Sequence, residues 1–371
     1  MAATVVDVAR RAGVSTSTVS RVMNNTGAVS AKLAARVVHA ARELGYHPNQ
    51  TARGLRLGQS QVWAVVISDI RTGPFFAEVV RGVEDVAYGA GYAMFLCNAD
   101  EDPTKESEYL KLAIAQNVAG VILTPSGPTT ELGPLLAANV HVVLVDRDLP
   151  GSQVDTVVTD NLSGASRAVE HLLENGYERI ACITGPLSST TGSQRLLGYR
   201  NALEQVGRPV DEALIRVGDF RERGGYIAMQ ELLAQKPKPD AVFVANNRMA
   251  AGALQAIEEA NVAIPKALGF VGYDDFVWTN LLRTPLTTVS QPAYDLGHEG
   301  ARLLLSRLAG YSGSPRTVVL PTWLNIRNSS VRARAQAVTM GDVPVRALPS
   351  HRRSANRREK TAPAIRSDKR G

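Results

Sequence analysis

The sequence predicts an α/β protein with a small all-α head, a hinge, and a large core of two doubly wound parallel-sheet subdomains. In the first 45 residues, apolar side chains recur at helical spacing. From Gln61 onward, short apolar runs typical of buried strands alternate with helical stretches. Charge divides the chain in the same way, because residues 1–60 carry eight Lys or Arg against two Asp or Glu, whereas residues 61–330 carry 22 against 30. A basic head on an acidic core indicates a polyanionic partner for the head alone.

Three helices are predicted in the head. Thr4 precedes an apolar run and has Asp7 three residues later, a capping-box spacing with Asp in place of Glu or Gln. Gly13 permits a tight turn, after which Ser15 is a good N-cap for the second helix, and Ser30 is a good N-cap for the third. The side chains expected to face the interior of the head are Val5, Val8, Ala9, Ala12, Val19, Val22, Leu33, Val37, Ala40, Ala41 and Leu44.

Two short helices across a glycine-bearing turn, braced by a third helix, form a helix-turn-helix unit. In such a unit the second helix lies in the major groove of DNA, where Thr16, Ser17 and Arg21 would reach base edges, Arg most naturally at guanine. A small helical cap with a solvated polar face would show the same periodicity and charge. The residue pattern by itself therefore leaves both interpretations open.

Residues 5–56 resemble the DNA-binding head of the LacI/GalR family of bacterial repressors, on the segments VVDVARRAGVSTSTVSRVMNNTGAVS and ARELGYHPNQTARGLR. The resemblance favours the DNA-binding interpretation. It implies that residues 49–56 form a hinge that folds when two subunits meet on operator DNA, with Leu55 as the wedge that enters the minor groove. Gly54 departs from the family pattern, since many relatives carry a better helix former there, and we expect a weaker hinge helix. The predicted DNA-contacting residues are Thr4, Ser15, Thr16, Ser17, Thr18, Arg21, Asn24, Ala52 and Leu55.

Two consecutive series of strands are predicted in the core. The first reads VWAVVIS, YAMFLCN, GVILT and HVVLVD, and the second reads RIACITG, LIRVGD, DAVFVAN and LGFVGYDD. Helical stretches separate the strands, which is the pattern of a parallel sheet covered on both faces. Two such series predict two subdomains with a cleft between them, and ligands of these sheets bind at the carboxyl ends of the strands. A further strand, TTVSQP, precedes the return of the chain to the first subdomain.

Polar and aromatic side chains follow the ends of these strands. Planar carboxylate, amide and guanidinium groups hydrogen-bond pairs of neighbouring hydroxyls, and aromatic faces stack on the C–H surface of a sugar ring. The composition of the cleft therefore predicts a sugar-binding site. The strand-end side chains are Phe75, Phe76, Asp146, Arg147, Arg195, Phe220, Asn246, Asp274 and Gln291.

The core resembles the periplasmic-binding-protein-like core of the same family, above all its ribose- and purine-responsive members. The resemblance rests on PFFAEVVRGVE, AGVILT, ITGPL, SQRLLGYRNAL, GDF, VGYDD and PLTTVSQP. It implies effector contacts from the nine strand-end residues and from Thr191, where purine-responsive members use a threonine. Asn247 is a departure, because relatives usually have Asp there. We expect Asn247 to cap the following helix without the charge that favours a helix N-terminus.

Other classes of protein are disfavoured. The loop TGPLSSTTGS lacks the Gly-Lys-Ser/Thr of a nucleotide phosphate-binding loop, and the six His are dispersed without metal-ligand spacing. We therefore expect no catalytic residues, no metal and no cofactor. Cys97 and Cys182 lie in apolar runs and are expected to be buried free thiols in a reducing cytoplasm. The N-terminus lacks the apolar run of a signal peptide, and no run approaches the ~20 apolar residues of a membrane span.

The predicted boundaries divide the chain into four parts: a head at 1–48, a hinge at 49–60, an effector-binding core at 61–330 and a tail at 331–371. The two subdomains of the core are expected at about 61–160 plus 291–319 and at about 161–290 plus 320–330. The tail carries eleven Lys or Arg against three Asp or Glu and is predicted to be disordered. It would either be simply solvated or add nonspecific affinity for DNA.

The sequence as a whole predicts a cytoplasmic transcriptional regulator. By resemblance it is a repressor that binds a palindromic operator as a homodimer and is switched by a small carbohydrate in the cleft. Two alternatives stay open. A purine- or nucleoside-responsive regulator of the same fold would also use the aromatic side chains and Thr191. A transport-type sugar receptor would share the core, but the DNA-binding head and the missing export signal argue against it.

Overall fold

A computed structural model describes residues 3–23, 29–46 and 60–332 of the chain, apart from the side chains of Thr72 and Val277. The expectations for the hinge and for the basic tail lie outside the described residues. Of the predicted DNA-contacting residues, Asn24, Ala52 and Leu55 also lie outside the described residues. The same is true of Gly54, which departs from the family pattern.

The head consists of three short helices: α1 (Val5–Ala12), α2 (Thr16–Met23) and α3 (Ala31–Glu43). The predicted capping box is confirmed, because the Asp7 N–H donates to Thr4 Oγ1 (3.4 Å) while the Thr4 N–H donates to Asp7 Oδ2 (3.0 Å). Ser15 and Ser30 also cap as predicted. The hydroxyl oxygen of each accepts the backbone N–H of the residue three positions on, at 3.2 and 3.4 Å.

The helices of the head enclose a small apolar core. Its buried members are Val8, Ala9, Ala12, Val19, Val37, Ala40 and Ala41. Gly13, with a φ of 62°, turns the chain between α1 and α2, and the Arg36 guanidinium donates to the Ala12 carbonyl at the end of α1. The prediction for Leu44 is wrong: its side chain is 36% exposed, because α3 ends at Glu43 and Leu44 already belongs to the following turn.

The core alternates strands and helices. In chain order the strands are β1 (Val62–Ile67), β2 (Ala93–Asn98), β3 (Gly120–Leu123), β4 (His141–Val145), β5 (Asp155–Thr159), β6 (Ile180–Thr184), β7 (Ile215–Val217), β8 (Ala241–Val244), β9 (Gly269–Tyr273), β10 (Thr287–Ser290), β11 (Thr317–Leu320) and β12 (Trp323–Asn325). The helices are α4 (Pro74–Gly89), α5 (Pro103–Ala115), α6 (Gly133–Ala137), α7 (Asn161–Glu174), α8 (Thr190–Gln205), α9 (Glu222–Ala234), α10 (Asn247–Glu259) and α11 (Ala293–Leu308).

These strands form two separate six-stranded sheets. The first has the order β11-β5-β4-β3-β1-β2 and pairs in parallel throughout. The second has the order β12-β10-β9-β8-β6-β7 and is parallel except for the antiparallel pair of β10 with β12. Each sheet lies in its own subdomain, and the chain passes between the two after β5, after β10 and after β11. The predicted architecture of two doubly wound parallel sheets is confirmed.

Close helix packing shapes the first subdomain, where α11 lies against α4. A Cβ atom on Gly82 would lie 2.1 Å from the carbonyl oxygen of Tyr294, and one on Gly297 would lie 1.9 Å from that of Val79. Since both contacts are to backbone, a larger side chain at either position would force the helices apart. The same α4 begins with the aromatic pair that the sequence assigns to the ligand site.

The sequence prediction misses β5, β11 and β12. These segments are short, with only two or three consecutive apolar residues in each. Asp155, the first residue of β5, has a fully buried carboxylate that accepts hydrogen bonds from Arg307 and Arg316 at 2.7–2.9 Å. A buried ion cluster between distant segments therefore helps to build this edge of the first sheet, and local periodicity does not reveal it.

Both cysteines are free and buried, as predicted. Burial raises the pKa of the Cys97 thiol and of the Cys182 thiol, so neither is a reactive thiolate at neutral pH. Within the described ranges, no helix combines the length and the apolar character needed to cross a membrane.

Candidate functional site

A cavity open to solvent lies between the two subdomains, at the carboxyl ends of their strands; the space there not filled by protein atoms, adjoining solvent included, is about 360 Å³. All ten residues that the sequence assigns to the effector line it. Glu101 and Asn247 line it as well. The predicted residues brought together here are Phe75, Phe76, Asp146, Arg147, Thr191, Arg195, Phe220, Asn246, Asp274 and Gln291.

Two aspartates occupy equivalent places in the two subdomains. Asp146 follows β4 and Asp274 follows β9, and each has a φ of 70°. The backbone N–H of each donates to a carbonyl of the neighbouring strand, Val157 on β5 at 2.9 Å and Val289 on β10 at 2.8 Å. A left-handed backbone is costly for a residue with a side chain and is concentrated at ligand sites in proteins. It turns both carboxylates out of the sheet ends at the cavity.

The guanidinium of Arg147 is held by the first subdomain. Nη1 and Nη2 donate to the two carboxylate oxygens of Glu101 at 2.7 and 2.5 Å, and Nη1 also donates to the Pro125 carbonyl at 3.1 Å. Its central carbon lies 5.3 Å from the ring centre of Phe220 in the second subdomain. Nε is buried and has no hydrogen-bond partner among the described residues. A ligand hydroxyl that accepts from Nε would satisfy this atom.

The second subdomain holds Arg195 in a comparable way. Nε donates to Asn161 Oδ1 at 2.8 Å, and Nη1 donates to the Ala245 carbonyl at 2.6 Å. The guanidinium carbon lies 3.7 Å from the ring centre of Tyr273, a buried cation–π contact. These contacts fix the orientation of Arg195 before any ligand binds.

A hydrogen-bond chain links the two subdomains behind the cavity. Thr159 Oγ1 donates to Gln291 Oε1 at 2.6 Å, and Gln291 Nε2 donates to Asp274 Oδ1, also at 2.6 Å. The chain fixes the amide of Gln291 and occupies one oxygen of Asp274.

The N-cap of α10 differs from the prediction. Asn246, not Asn247, is the cap: its Oδ1 accepts the Met249 N–H at 2.9 Å, and its Nδ2 donates to the Phe220 carbonyl at 3.2 Å. Asn247 is the first helical residue, and its N–H donates to Asp274 Oδ2 at 3.4 Å. Asp274 thereby supplies at this helix N-terminus the negative charge that Asn247 lacks.

Burial governs the protonation of the two cavity aspartates. It raises the pKa of Asp146 to about 6, although the guanidinium groups of Arg147 and Arg195 act in the opposite direction. Burial also raises the pKa of Asp274, against the opposing effect of Arg195. Arg147 Nε lies 3.7 Å from Asp146 Oδ2, which is beyond hydrogen-bond distance. Ligand hydroxyls that donate to these carboxylates would stabilise their charged forms.

Three phenylalanines supply the apolar surface of the cavity. Phe75 and Phe76 begin α4, with ring centres 5.1 Å apart and planes at 74°. Phe220 has a φ of 60°, and its ring lies so close to Gly185 that a Cβ there would be 2.0 Å from it. Thr191 in the first turn of α8 is buried, and its hydroxyl pairs with that of Ser189 at 2.8 Å. Apolar rings and preset polar groups together suit a ligand with both C–H and hydroxyl surfaces.

Several contacts cross the cleft directly. Arg248 Nη1 lies 3.2 Å from Asp69 Oδ2, and the N–H of Asp148 donates to Thr190 Oγ1 at 3.1 Å. Phe276, which follows β9 in the second subdomain, packs into the apolar core of the first. The arrangement of the two subdomains therefore depends on polar and apolar contacts around the cavity.

The described DNA-contact candidates lie at or on α2, apart from Thr4, which caps α1. Ser15, Thr16, Ser17 and Arg21 are exposed at or on α2, and Thr18 is half-buried. Some of their hydroxyls are engaged locally, because Ser15 Oγ lies 2.7 Å from Ser17 Oγ and 2.9 Å from Thr18 Oγ1. Thr4 donates to Asp7 in the capping box at 2.6 Å. Helix α2 thus presents Thr16, Ser17 and Arg21 to solvent, as a recognition helix requires.

The sequence did not assign Glu101 to the site, and it singled out Asn247 only as a departure. Glu101 lies three residues beyond the end of β2, and its φ of 57° and an N–H bond to the Ser68 carbonyl (2.7 Å) turn it toward Arg147. Inspecting two or three more positions after each strand would have found it. Among the described residues, no group of three or more His, Cys, Asp or Glu side chains is arranged to hold a metal ion.

Comparison with known proteins identifies family matches for both the head and the core. Residues 4–49 match the family described as bacterial regulatory proteins, lacI family, and residues 169–330 match the periplasmic binding protein-like domain. The chain is 37% identical over 312 residues to the ribose operon repressor of Escherichia coli (strain K12), covering 82% of this chain and 93% of that protein. The chain belongs to the lacI family of bacterial regulatory proteins.

Solved lacI-family structures share the fold. The lac repressor dimer bound to operator and the anti-inducer ONPF matches with a TM-score of 0.80 and 29% identity, covering 90% of this chain and 100% of that one. A complex of the transcriptional regulator CelR with cellobiose matches with a TM-score of 0.68 and 35% identity, covering 88% and 99%. As a lacI-family protein, the chain is a DNA-binding regulator with a ligand-binding core, which confirms the predicted class of function.

Proposed function

We propose that this lacI-family regulator is a repressor that binds a palindromic operator as a homodimer and is switched by a small carbohydrate in the cavity between its subdomains. It acts by binding rather than by catalysis. The bases are read by Thr16, Ser17 and Arg21 on α2, and a two-fold dimer matches two half-sites about one helical turn apart.

The side chains that line the cavity are the main support for a carbohydrate effector. Asp146 and Asp274 offer acceptors from opposite sides, Arg147 Nε is a buried donor with no partner in the described part of the chain, and phenylalanine rings supply a stacking surface. A sugar provides hydroxyl donors and acceptors around an apolar ring face, which satisfies all of these groups together. Among similar proteins, CelR is in complex with cellobiose and the Escherichia coli relative is named for the ribose operon, which supports this class of effector.

The effector switches DNA binding because its contacts lie on both subdomains. A ligand that touches Asp146 and Asp274 bridges the two subdomains and favours their closed arrangement. Closure shifts the first subdomains of the dimer against each other and changes whether the hinges pack on DNA. Such coupling requires unequal affinity of the ligand for the two arrangements, and a ~100-fold difference corresponds to about 2.7 kcal/mol.

A purine or nucleoside is the second candidate effector. The three phenylalanines and the buried Thr191 favour it, since a base also needs aromatic walls and a hydroxyl partner. A base is planar and offers fewer donors to a pair of carboxylates than a polyol does, and on this ground we rank it second.

A thermal-shift screen tests the ligand class. Purified protein is titrated with pentoses, hexoses, polyols and purines, because a ligand that binds the native state raises the melting temperature. We expect a shift with at least one sugar and a smaller shift with the same sugar for Asp146→Asn, which keeps an acceptor oxygen at this position but loses the charge. A shift with purines and none with any sugar would reverse the ranking of the two effectors.

A further inference from the structure

The protein engages part of the donor set of each arginine in the cavity. Arg147 gives Nη1 and Nη2 to Glu101, and Arg195 gives Nε and Nη1 to Asn161 and Ala245. Of the nitrogens of these two guanidinium groups, Arg147 Nε is the one that is buried without a hydrogen-bond partner among the described residues. A phosphate or carboxylate is usually held by a bidentate guanidinium, and Arg147, the arginine beside Asp146, has both terminal nitrogens occupied.

Acidic groups outnumber basic ones around the cavity. The lining contains three carboxylates, on Glu101, Asp146 and Asp274, against the two guanidinium groups. A fourth carboxylate lies behind Arg147, where the buried Glu106 accepts the Ser126 N–H at 2.6 Å and the Thr130 hydroxyl at 2.5 Å. An anion entering this cavity would meet a net negative charge in a poorly solvated space.

The N-terminus of α10, whose first residue Asn247 lines the cavity, has its N–H groups occupied by the protein. At the N-terminus of α10, the N–H groups of Asn247, Arg248 and Met249 already donate to side-chain oxygens of the protein. At the N-terminus of α8, Thr190 accepts the backbone N–H of Asp148, which brings another acidic residue alongside. Helix N-termini bind phosphate when their N–H groups are free and no acid competes.

We propose that the cavity is built for a neutral polyhydroxylated sugar and that Glu101 excludes phosphorylated and carboxylated sugars by occupying the bidentate face of Arg147. The inference rests on the proposed carbohydrate effector and narrows it to uncharged members. Glu101 acts as a positioning residue that directs Nε of Arg147 to a ligand hydroxyl. A phosphate could displace Glu101 only by leaving a largely buried carboxylate without its partner.

The test compares neutral sugars with their charged forms on the full-length protein. Ribose, glucose and galactose, their phosphate monoesters, and the corresponding sugar acids are titrated by isothermal calorimetry, with inorganic phosphate as a further probe. For the neutral sugar that binds, we expect its phosphate and its acid to bind at least 100-fold more weakly. A charged form that binds as tightly as its neutral parent would overturn the inference while leaving the carbohydrate effector intact.

A pair of variants isolates the role of Glu101. Glu101→Gln removes one charge and frees a guanidinium donor, so the ratio of phosphate-ester to neutral-sugar affinity should rise at least tenfold. The exposed Glu108 on α5 provides the matched control, and Glu108→Gln should leave the ratio unchanged. An equal ratio in both variants, with melting temperatures that show both are folded, would assign Glu101 no part in selectivity. If none of the sugars binds in any form, the inference fails together with the proposed effector.

Discussion

Arg248 and Asp69 form an ion pair across the cleft, with 3.2 Å between Nη1 and Oδ2 and with side-chain exposures of 16% and 2%. Asp69 follows β1 in the first subdomain, and Arg248 lies in the first turn of α10 in the second. Asp69 also accepts hydrogen bonds from the Arg71 N–H at 2.8 Å and from its Nε at 3.2 Å. The pair therefore stabilises the arrangement in which both subdomains line one cavity.

Breaking this pair should weaken effector binding without touching the cavity. In Arg248→Gln, Asp69 keeps Arg71 as a partner, so the carboxylate is not left unpaired. We expect the closed arrangement to lose about 1–2 kcal/mol, which is roughly 5–30-fold in effector affinity by calorimetry. The control is Arg200→Gln, which removes an exposed ion pair with Glu212 on the second subdomain. Equal affinities in the two variants would contradict a role for the pair in closure.

Effector affinity should depend on pH through Asp146. Its pKa is raised to about 6 by burial, and the ionised carboxylate accepts ligand hydroxyls more strongly, through both oxygens, than the protonated group does. We expect affinity to rise from pH 5 to pH 7 by about tenfold and then to level off. Calorimetry across this range checks the slope, which should vanish in Asp146→Asn. A slope of the same size in that variant would assign the titration to another group.

The raised pKa of Asp146 also determines how the free energy of unfolding changes with pH. A folded-state pKa above the unfolded value means that the folded protein binds more protons between about pH 4 and pH 6. Without effector, the contribution of Asp146 to the free energy of unfolding should therefore fall as pH rises through this window. Denaturant titrations of wild type and Asp146→Asn at pH 4 and pH 6.5 measure the difference. A wild-type stability that rises more steeply than that of the variant would contradict the burial argument.

Asp155 should dominate the acid stability of the first subdomain. Burial alone raises the pKa of this carboxylate, but hydrogen bonds from Arg307 and Arg316 outweigh it and hold the pKa at about 2. Its contribution is present above about pH 4 and lost as pH falls toward 2, amounting to about 2–3 kcal/mol. Asp155→Asn should cost about 3–5 kcal/mol at pH 7, because two arginines lose their partner. Urea unfolding checks this, and a loss under 1 kcal/mol would contradict it.

Arg21 should read one base position. Arg21→Ala is expected to cost about 1–3 kcal/mol of operator affinity and to relax specificity at a single position of each half-site. Binding to a panel of operators with single base changes measures both effects at one salt concentration. A loss that is uniform across the panel, together with a shallower salt dependence, would make Arg21 a phosphate contact instead.

The ligand cavity was predictable because two simple regularities combine there. Buried strands are visible as apolar runs, and the carboxyl ends of parallel strands meet at one edge, so Asp146 and Asp274 could be placed together from sequence. Glu101 was missed because it lies three residues past the end of β2, and its role depends on a left-handed turn and on a partner 46 residues away. The cap of α10 was misplaced by one residue, since two consecutive asparagines have the same capping tendency and only tertiary contacts of Asn246 with Phe220 distinguish them.

The most direct test of the central claim measures operator binding and its response to effector in one experiment. Inverted-repeat fragments selected from a randomised library are titrated by fluorescence anisotropy at fixed moderate salt, with and without the sugar that raises the melting temperature. We predict a dimer that prefers its selected repeat over scrambled DNA by about 1,000-fold or more, with an affinity that the sugar changes at least tenfold in wild type and not in Asp146→Asn. Equal binding to every fragment, with and without small molecules, would contradict the account.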